Sequence, residues 1–375
     1  MKIGYDAKRI VRNGTGLGAY GRTLVNDIGR LAETAGLHLL LYAPDAGRDE
    51  LRNQIATGRH VQFVYPRKAL LKAYWRSHTI VGDLLRDGVE LFHGLSGELP
   101  VGLRRAGIPG VVTIHDLIFM RHPEYYHWLD AAIYRWKFRA TCREATRIIA
   151  ISERTKHDIV ELGGVAPDRI EVVYQSCNPR FGEPLSNEAI QETRRKLHLP
   201  ARYILNVGSV EERKNVLLVV KALPLLPDDV HLVVVGKHTP YTDRVTAYAE
   251  ANALNHRLHI LHGVDDRDLQ AIYQQAEVFA YPSRYEGFGI PIIEAAFSRL
   301  PVVACTGSCL EEAGGPDSLY VDPDDAKGMA AALRLLLTKG TERDNRIQRT
   351  LQYVERFRGR DVASQVIDLY RRTRK

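Results

Sequence analysis

The sequence has few cysteines and no long apolar run. Its 375 residues include four cysteines, too few for a disulfide framework in a chain of this length. Cys305 and Cys309 lack the second pair or nearby histidine that would complete a zinc site. No apolar run approaches the ~20 residues that span a bilayer, and the opening residues MKIGYD predict a strand and not a signal peptide. We therefore expect reduced structural thiols and a cytoplasmic protein.

Basic residues are in excess, but only in parts of the chain. Residues 1–150 contain 22 basic and 14 acidic side chains, residues 151–350 contain 23 and 28, and residues 351–375 contain 7 and 3. A basic N-terminal half favours an anionic partner, either a lipid phosphate or the inner face of a membrane that the protein contacts peripherally. Recognised nucleic-acid-binding motifs do not accompany the charge, so we expect no nucleic-acid partner.

Short β-branched runs alternate with helical patterns along the whole chain. Buried runs such as LVVVG are typical of parallel strands that are covered on both faces. The predicted strands are residues 2–5, 38–42, 61–65, 91–93, 111–115, 147–151 and 170–174, then 203–207, 231–235, 258–261, 278–281, 301–304 and 319–321.

Between these strands lie amphipathic segments, so the fold class is α/β with two Rossmann-like, doubly wound domains. We expect an N-terminal, acceptor-binding domain over residues 1–180 and a nucleotide-sugar-binding domain over residues 188–356. A polar, proline-bearing linker covers 175–187, and a C-terminal helix over 357–375 packs back on the first domain. Ligands bind at the carboxyl ends of such strands, which predicts a cleft between facing domains.

A glycine-rich loop opens the first long helix. Gly14, Gly16 and Gly18 would let a backbone approach a phosphate at the start of that helix. The loop also fits a dinucleotide fingerprint, which makes an NAD-dependent oxidoreductase the main rival interpretation, with Asp45 near the end of the second strand as the ribose ligand. In that fold the glycines follow the first strand closely, whereas here residues 7–13 intervene.

The most informative segment is YPSRYEGFGIPIIEA, residues 281–295. A strand is followed by a polar loop and then by a helix with Pro291 near its start. Glu286 falls in the loop and Glu294 in the first turns of the helix, next to the backbone of Gly287, Phe288 and Gly289. Carboxylates for sugar hydroxyls and amides for a diphosphate would thus meet at one helix start.

In this segment the chain resembles the retaining, GT-B-fold glycosyltransferases of family 4 (glycosyl transferases group 1). Their signature is two glutamates separated by seven residues, which Glu286 and Glu294 match. The resemblance implies that Glu286 contacts the donor sugar and Glu294 the ribose. It also implies transfer from a GDP- or UDP-sugar without any other cofactor or a required metal. The acceptor would be a glycan or a lipid-linked glycan of surface polysaccharide or glycolipid synthesis, and mannose is the favoured sugar.

Other positions extend this resemblance around the nucleotide. Arg213 and Lys214, after the strand ending at residue 207, match the basic pair that neutralises the donor diphosphate. Many members have an arginine where this chain has Ser209, so Ser209 would share that role. Gly236 and Val264 lie at turns that the family uses near the base.

Histidines end two strands of the first half. By resemblance, His115 faces the reacting sugar, while Asp116 caps the next turn or assists. His93 is a weaker candidate for the acceptor pocket, and Ser152 and Glu153 are interpreted as local caps.

The pattern of residues 67–86 predicts a surface helix packed on the core, with an interfacial helix on anionic lipid as the alternative. Its apolar residues share one helical face and are Leu70, Leu71, Tyr74, Val81, Leu84 and Leu85. Four cations lie near Trp75 in this segment, namely Arg67, Lys68, Lys72 and Arg76.

Two further alternatives remain open from sequence. A catalytically silent sugar-nucleotide-binding protein would bind the donor without releasing a nucleotide diphosphate. An epimerase acting on free nucleotide sugars would need no acceptor. The identity of the donor base, the sugar and the acceptor is not determined by the motifs. The acidic pairs Asp265-Asp266 and Asp324-Asp325 are interpreted as surface acids in turns.

Overall fold

A computed structural model describes residues 1–66 and 71–374, which divide into two compact units. Unit 1 comprises Met1–Ser176 and Phe357–Lys375, and unit 2 comprises Cys177–Arg356. Each unit contains one fully parallel sheet with its own helices. The sequence predicted domains of 1–180 and 188–356 with a returning segment from residue 357.

Unit 1 is built on a seven-stranded sheet in the order β3-β2-β1-β4-β5-β6-β7. Every neighbouring pair is parallel, and β4 and β5 are buried along their whole length, as expected for strands covered on both faces. The strands are β1 (Lys2–Asp6), β2 (His38–Tyr42), β3 (Val61–Val64), β4 (Leu91–Gly94), β5 (Gly110–Ile114), β6 (Arg147–Ala150) and β7 (Ile170–Val172).

The first part of unit 1 contains several short helices and two long ones, of 20 and 17 residues. The helices are α1 (Lys8–Arg12), α2 (Gly16–Ala35), α3 (Asp49–Arg52), α4 (Lys72–Tyr74), α5 (Ile80–Arg86), α6 (Ile118–Arg121), α7 (Trp128–Glu144) and α8 (Glu153–Gly163). Helix α2 buries Leu24, Val25 and Ile28 against the sheet, because these residues share one face of the helix.

Unit 2 contains a six-stranded parallel sheet in the order β10-β9-β8-β11-β12-β13. Its strands are β8 (Arg202–Val207), β9 (Val230–Val235), β10 (Leu258–Leu261), β11 (Val278–Tyr281), β12 (Val302–Cys305) and β13 (Leu319–Val321). Its helices are α9 (Asn187–Lys196), α10 (Leu217–Ala222), α11 (Pro240–Ala251), α12 (Asp266–Gln275), α13 (Ile290–Phe297), α14 (Leu310–Gly314), α15 (Ala326–Leu337) and α16 (Thr341–Val354).

The chain then returns to unit 1 through helix α17 (Gly359–Arg374), which packs along α2. Its apolar face belongs to the core of unit 1, where Val366 and Tyr370 are fully buried. The helix thus forms part of that core and is not an appendage of unit 2.

All thirteen predicted strands are present, and the predicted α/β fold class with two doubly wound sheets is confirmed. The bounds of four strands agree to the residue: His38–Tyr42, Leu258–Leu261, Val278–Tyr281 and Leu319–Val321. None of the helices in the described part of the chain combines the length and apolar character needed to cross a bilayer.

The surface helix predicted over residues 67–86 is confirmed in part, because a helical segment runs from Lys72 to Arg86. Arg67, Lys68 and Leu70 lie outside the described residues, Leu71 precedes α4, and a π-helical turn (Trp75–Thr79) separates α4 from α5. Trp75 and Leu84 are buried, whereas Leu71, Tyr74 and Leu85 are exposed. The π-helical turn shifts the register of the helix, so the residues that share a face in an unbroken helix are split between the core and the surface.

Candidate active site

The candidate site in unit 2 lies at the point where its strand order reverses. The chain builds outward from β8 to β9 and β10, and then returns to place β11 on the other side of β8. The carboxyl ends of β8 and β11 are therefore adjacent, and a crevice at such a reversal is where doubly wound sheets bind ligands. Arg213 and Lys214 follow β8, and Glu286 follows β11.

The carboxylate of Glu286 is held by four side chains. Its Oε1 accepts hydrogen bonds from Lys214 Nζ at 2.8 Å, Ser283 Oγ at 2.9 Å and Tyr281 OH at 3.1 Å. Its Oε2 lies 2.8 Å from Arg213 NH1. The sequence predicted the two cations and the glutamate, and the structure brings them into direct contact. It did not predict Tyr281 or Ser283, although both lie within five residues of Glu286.

Backbone contacts fix the two loops to each other. A single 3-10 turn (Glu212–Lys214) directs Arg213 and Lys214 to the same carboxylate. The backbone N–H of Arg284 donates to the carbonyl of Arg213 at 2.8 Å, and the Arg213 guanidinium donates to the carbonyl of Tyr285. The position of the cations therefore depends on the loop after β11 as well as on their own turn.

The charges in this cluster stabilise one another. Burial alone would raise the pKa of Glu286, but the adjacent Lys214 and Arg213 outweigh it and hold that pKa at about 2. Burial likewise opposes the charged form of Lys214, and Glu286 raises the pKa of Lys214 above its usual value. The cluster thus keeps two positive charges and one negative charge at neutral pH.

Glu294 lies in a different environment on helix α13. Its Oε2 accepts a hydrogen bond from Tyr273 OH at 2.8 Å, and neither Arg213 nor Lys214 is among its described partners. Burial raises the pKa of Glu294 to about 7, because the hydrogen bond from Tyr273 and the positive charge of Arg180 compensate only partly. The two glutamates of the motif therefore differ in protonation near neutral pH: Glu286 is ionised, and Glu294 titrates.

The remaining predicted nucleotide-binding residues lie along the same sheet edge. Gly236 directly follows β9, and Val264 follows β10. A Cβ atom on Gly236 would lie 1.8 Å from the carbonyl oxygen of Gly208, so only glycine allows these two turns to approach so closely. Ser209 donates a hydrogen bond to Glu211 Oε1 at 2.6 Å. Its predicted share in phosphate binding stays a prediction.

A thiol supports the loop that carries Glu286. Cys309 Sγ lies 3.0 Å from the carbonyl oxygen of Glu286 and 2.9 Å from that of Phe288. Burial raises the pKa of the Cys309 thiol well above its usual value, so it remains a protonated donor. Phe288, which Gly287 and Gly289 flank in the sequence, is itself buried. All four cysteines are free thiols, as predicted.

The glycine loop of unit 1 is anchored from within its own helix. The guanidinium of Arg22 in α2 donates to the carbonyls of Ile10 at 2.9 Å and Asn13 at 2.8 Å. Gly18 is buried, and a Cβ atom there would lie 1.8 Å from the carbonyl oxygen of Asn13. Gly16 is exposed with open space above it. Gly18 therefore has a packing role, while the phosphate-binding role of Gly16 and Gly18 stays a prediction.

His115 follows β5, and both of its ring nitrogens have partners. Nε2 lies 2.8 Å from the carbonyl oxygen of Leu95, and Nδ1 lies 2.9 Å from the side-chain nitrogen of Gln175. A carbonyl only accepts, so Nε2 carries the proton and Nδ1 accepts from Gln175. Burial lowers the pKa of His115 to about 4, which keeps the ring neutral. Its role toward the donor sugar stays a prediction, and a sugar hydroxyl at Nδ1 would have to replace Gln175.

His93 is not a pocket residue, which corrects the expectation from sequence. It is fully buried, and burial lowers its pKa to about 3. Its ring nitrogens bond Tyr370 OH at 2.6 Å and Thr113 Oγ1 at 2.8 Å, and Thr113 also lies 3.0 Å from Tyr20 OH. The returning helix α17 covers His93, so this histidine is a core group.

Several polar and acidic residues have local structural roles. The Asp116 carboxylate accepts from the N–H of Ile118, and Ser152 caps α8, as predicted. The acidic pairs also act at surface turns: Asp265 caps α12, and Asp325 caps α15. One group of potential metal ligands occurs in the described residues, namely His157, Asp158 and Glu161 on α8; Arg121 contacts both of its carboxylates.

Two family models together match most of the chain. The model described as "Glycosyltransferase Family 4" matches residues 21–180, and the one described as "Glycosyl transferases group 1" matches residues 189–352. The chain belongs to glycosyltransferase family 4. The oxidoreductase interpretation is therefore wrong. Asp45, its proposed ribose ligand, contacts Arg12 and Lys72, and these partners lower its pKa to about 2.

Sequence and structural relatives of this glycosyltransferase agree with that assignment. It is 28% identical to O-antigen chain mannosyltransferase B of Escherichia coli over 99% of this chain and 100% of the relative. It is 26% identical to O-antigen chain mannosyltransferase RfbU of Salmonella typhimurium over 66% and 65% of the two chains. A glycosyltransferase from Rickettsia africae has the same fold, with a TM-score of 0.78 and 16% identity over 100% and 98% of the chains. Anabaena Alr3699/HepE, solved with UDP and glucose, has a TM-score of 0.77 and 16% identity over 99% and 100%.

Proposed function

We propose that this glycosyltransferase transfers mannose from a nucleotide-diphosphate donor, GDP-mannose in the first instance, to a glycan or lipid-linked acceptor of a bacterial surface polysaccharide. One observation carries the choice of sugar and pathway: the similarity to an O-antigen chain mannosyltransferase extends over essentially the full length of both chains. A second O-antigen mannosyltransferase matches about two thirds of the chain.

The chemistry that this proposal requires is separation of a sugar from a diphosphate. Arg213 and Lys214 would contact the diphosphate, where negative charge increases as the glycosidic bond breaks. Because both cations contact Glu286 in the described structure, the diphosphate would share them with that carboxylate. Glu286 is ionised and can only accept hydrogen bonds, which suits the hydroxyls of the donor sugar.

Retention of configuration and independence of a metal are parts of the same proposal. A retaining hydrolase uses a carboxylate nucleophile beside the anomeric carbon. Here Glu286 is held by four donors, which makes it a weak nucleophile. We therefore favour attack of the acceptor on the face that the diphosphate leaves, with a phosphate oxygen accepting the acceptor proton. Both carboxylates of the motif are assigned to binding hydroxyls: Glu286 to the sugar and Glu294 to the ribose.

Calorimetric titration with GDP-mannose, UDP-glucose and other nucleotide sugars tests the donor. We expect GDP-mannose to bind more tightly than the UDP-sugars, and membrane extract with GDP-mannose to yield GDP and a mannosylated product. NMR of the product would show an α-anomeric linkage, as in the donor. Tighter binding of a UDP-sugar would refute the choice of donor. Binding without nucleotide release would instead support a silent sugar-nucleotide-binding protein.

A further inference from the structure

Helix α7 directs large apolar side chains away from unit 1. Only Ala131, Phe138 and Thr141 of its 17 residues are buried. Trp128 is 70% exposed, Trp136 63% and Ile133 50%. Such side chains normally lie on the inward stripe of a helix in a globular protein, so the polarity of α7 is inverted.

The exposed apolar residues of α7 form one continuous face. Trp128, Ala132 and Trp136 are spaced by four residues, and Leu129 and Ile133 repeat that spacing one position later. Residues four apart are neighbours on a helix surface. We call this set the outward face of α7. Arg139 and Arg143, both exposed, continue the same side of the helix toward its C-terminus, so the apolar face borders positive charge.

A cavity of about 470 Å³ opens beside the outward face. Trp136 and Ala140 of α7 form one wall, and Val101 and Leu99 contribute further apolar surface. Its charged lining consists of five cations and one carboxylate: Lys8, Arg12, Lys72, Arg76, Lys137 and Glu98. A cavity with apolar walls and an excess of cations fits an anionic headgroup that is attached to an apolar chain.

The cations of the cavity are not all neutralised. Arg76 pairs with Asp6 and Glu98, and the Lys137 ammonium lies 3.0 Å from Glu98. Arg12 and Lys72 both pair with Asp45. Within the described part of the chain, Lys8 has no carboxylate at ion-pairing distance. Burial and the nearby Arg76 lower the pKa of Lys8, so a bound anion would relieve the repulsion between these cations.

We propose that the outward face of α7 docks on an anionic lipid bilayer and that the adjacent cavity receives a lipid phosphate headgroup. The occupant is a lipid and not a soluble phosphate, because Trp136 belongs both to the outward face and to the wall of the cavity. Tryptophan side chains favour the membrane–water interface, and neighbouring cations favour anionic headgroups. This proposal deepens the proposed function, on which it rests, by assigning the acceptor to a phosphorylated lipid at a membrane surface.

Vesicle binding with tryptophan fluorescence tests this proposal. Trp75 is buried, so the two exposed tryptophans of the chain both lie on the outward face of α7. With phosphatidylcholine vesicles containing about a third phosphatidylglycerol, we expect co-sedimentation and a shift of emission to shorter wavelength. Pure phosphatidylcholine vesicles should bind more weakly.

Variants separate the apolar and the charged contributions. Leu129→Ser with Ile133→Ser should weaken binding at least about tenfold, and both tryptophans remain as probes. Lys8→Gln should reduce the preference for the anionic vesicles and should weaken binding of farnesyl diphosphate but not of inorganic pyrophosphate. Leu335→Ser and Lys339→Gln, which change exposed residues of unit 2, are matched controls and should bind as the parent does.

Three outcomes would overturn the proposal. They are equal binding to both vesicle types, unchanged binding by the Leu129→Ser/Ile133→Ser variant, and a halved solution mass in that variant, which would show that a second copy covers the face. A fourth outcome would also overturn it: if Lys8→Gln weakened pyrophosphate binding as much as farnesyl diphosphate binding, the cavity would be a site for free phosphates. Calorimetric donor titration on the same samples tests the proposed function separately.

Discussion

At the scale of single residues, the two glutamates of the motif have different physical states. Glu286 is surrounded by donors, of which Lys214 and Arg213 are charged. Glu294 has one neutral donor, Tyr273. Sequence spacing predicted that both residues belong to a site, but not this difference, because the pKa of a buried carboxylate depends on partners from other elements.

We predict that Glu286→Gln lowers turnover by roughly 10²-fold and stability by about 1–3 kcal/mol. The variant leaves Lys214 and Arg213 without the negative charge that separates them. Donor affinity should change less than turnover. Steady-state kinetics and urea unfolding measure the two effects.

Glu212→Gln is the matched control for this substitution. Glu212 belongs to the same turn as both cations, but it is 60% exposed and pairs with the exposed Arg244. Surface pairs contribute about 0–1 kcal/mol. Equal losses in the two variants would contradict the assignment of Glu286 to the sugar.

Glu294 should make stability and donor affinity respond to pH in opposite directions. Its pKa in the folded protein is about 7, against a usual value of 4.5. The folded state therefore binds more protons between these values, and stability falls as pH rises through this window. Donor affinity should rise over the upper part of the window, because the ionised carboxylate is the better acceptor for ribose hydroxyls.

Two variants of Glu294 check this prediction. Glu294→Gln should flatten the pH dependence of the melting temperature between pH 5 and pH 8, and it should gain stability relative to the parent at the higher value. Glu294→Ala should weaken donor binding by about 1.5–3 kcal/mol at pH 8, as measured by titration calorimetry. An unchanged donor affinity would remove the ribose assignment.

At the scale of secondary-structure elements, the sequence correctly predicted where the strands lie and where they end. Buried runs such as residues 230–235 and 278–281 are short, β-branched or aromatic, and bounded by polar turns, so their position is encoded locally. The sheet order is not encoded in this way. It brings β8 beside β11, although residues 208–277 lie between them in the sequence, and only this order joins Lys214 to Glu286.

We predict opposite effects for two glycine-to-alanine substitutions. Gly236→Ala would place a Cβ atom 1.8 Å from the Gly208 carbonyl, so the turns after β8 and β9 must separate. We expect a loss of about 1–3 kcal/mol and weaker donor binding. Gly82→Ala, in helix α5 with open space around it, should gain roughly 0.4–1 kcal/mol. Urea unfolding measures both, and equal stabilities would contradict the close approach of the two turns.

At the scale of the whole molecule, the chain enters unit 2 once and then leaves it again. The sequence predicted this return from the last helical segment. It did not predict that α17 would bury His93, nor that α7 would expose its tryptophans, because burial depends on neighbours from remote parts of the sequence. The sequence pattern alone therefore predicted His93 in a pocket. It also placed the alternative of an interfacial helix at residues 67–86 and not at α7.

Deletion of residues 358–375 should unfold unit 1 selectively. Helix α17 contributes Val362, Val366, Ile367, Leu369 and Tyr370 to the core of unit 1. At about 1.5–3 kcal/mol for each large apolar side chain, their loss is comparable to the whole stability of a typical domain. We expect calorimetry to show one remaining transition that a nucleotide-sugar donor still stabilises.

Tyr370→Phe is the milder test of the same helix. It removes the hydroxyl that bonds His93 and should cost about 1–3 kcal/mol in the transition of unit 1 alone. An equal loss in the transition of unit 2 would show that α17 stabilises both units.

The return of α17 also determines the order in which the molecule can fold during synthesis. Residues 177–356 form a continuous segment, so unit 2 can fold as soon as that segment has left the ribosome. The sheet of unit 1, although translated first, must wait with Tyr5, His93 and the inner face of α2 uncovered until residues 359–374 emerge. The N-terminal half of the nascent chain is consequently the part that chaperones would bind and that premature termination would leave exposed.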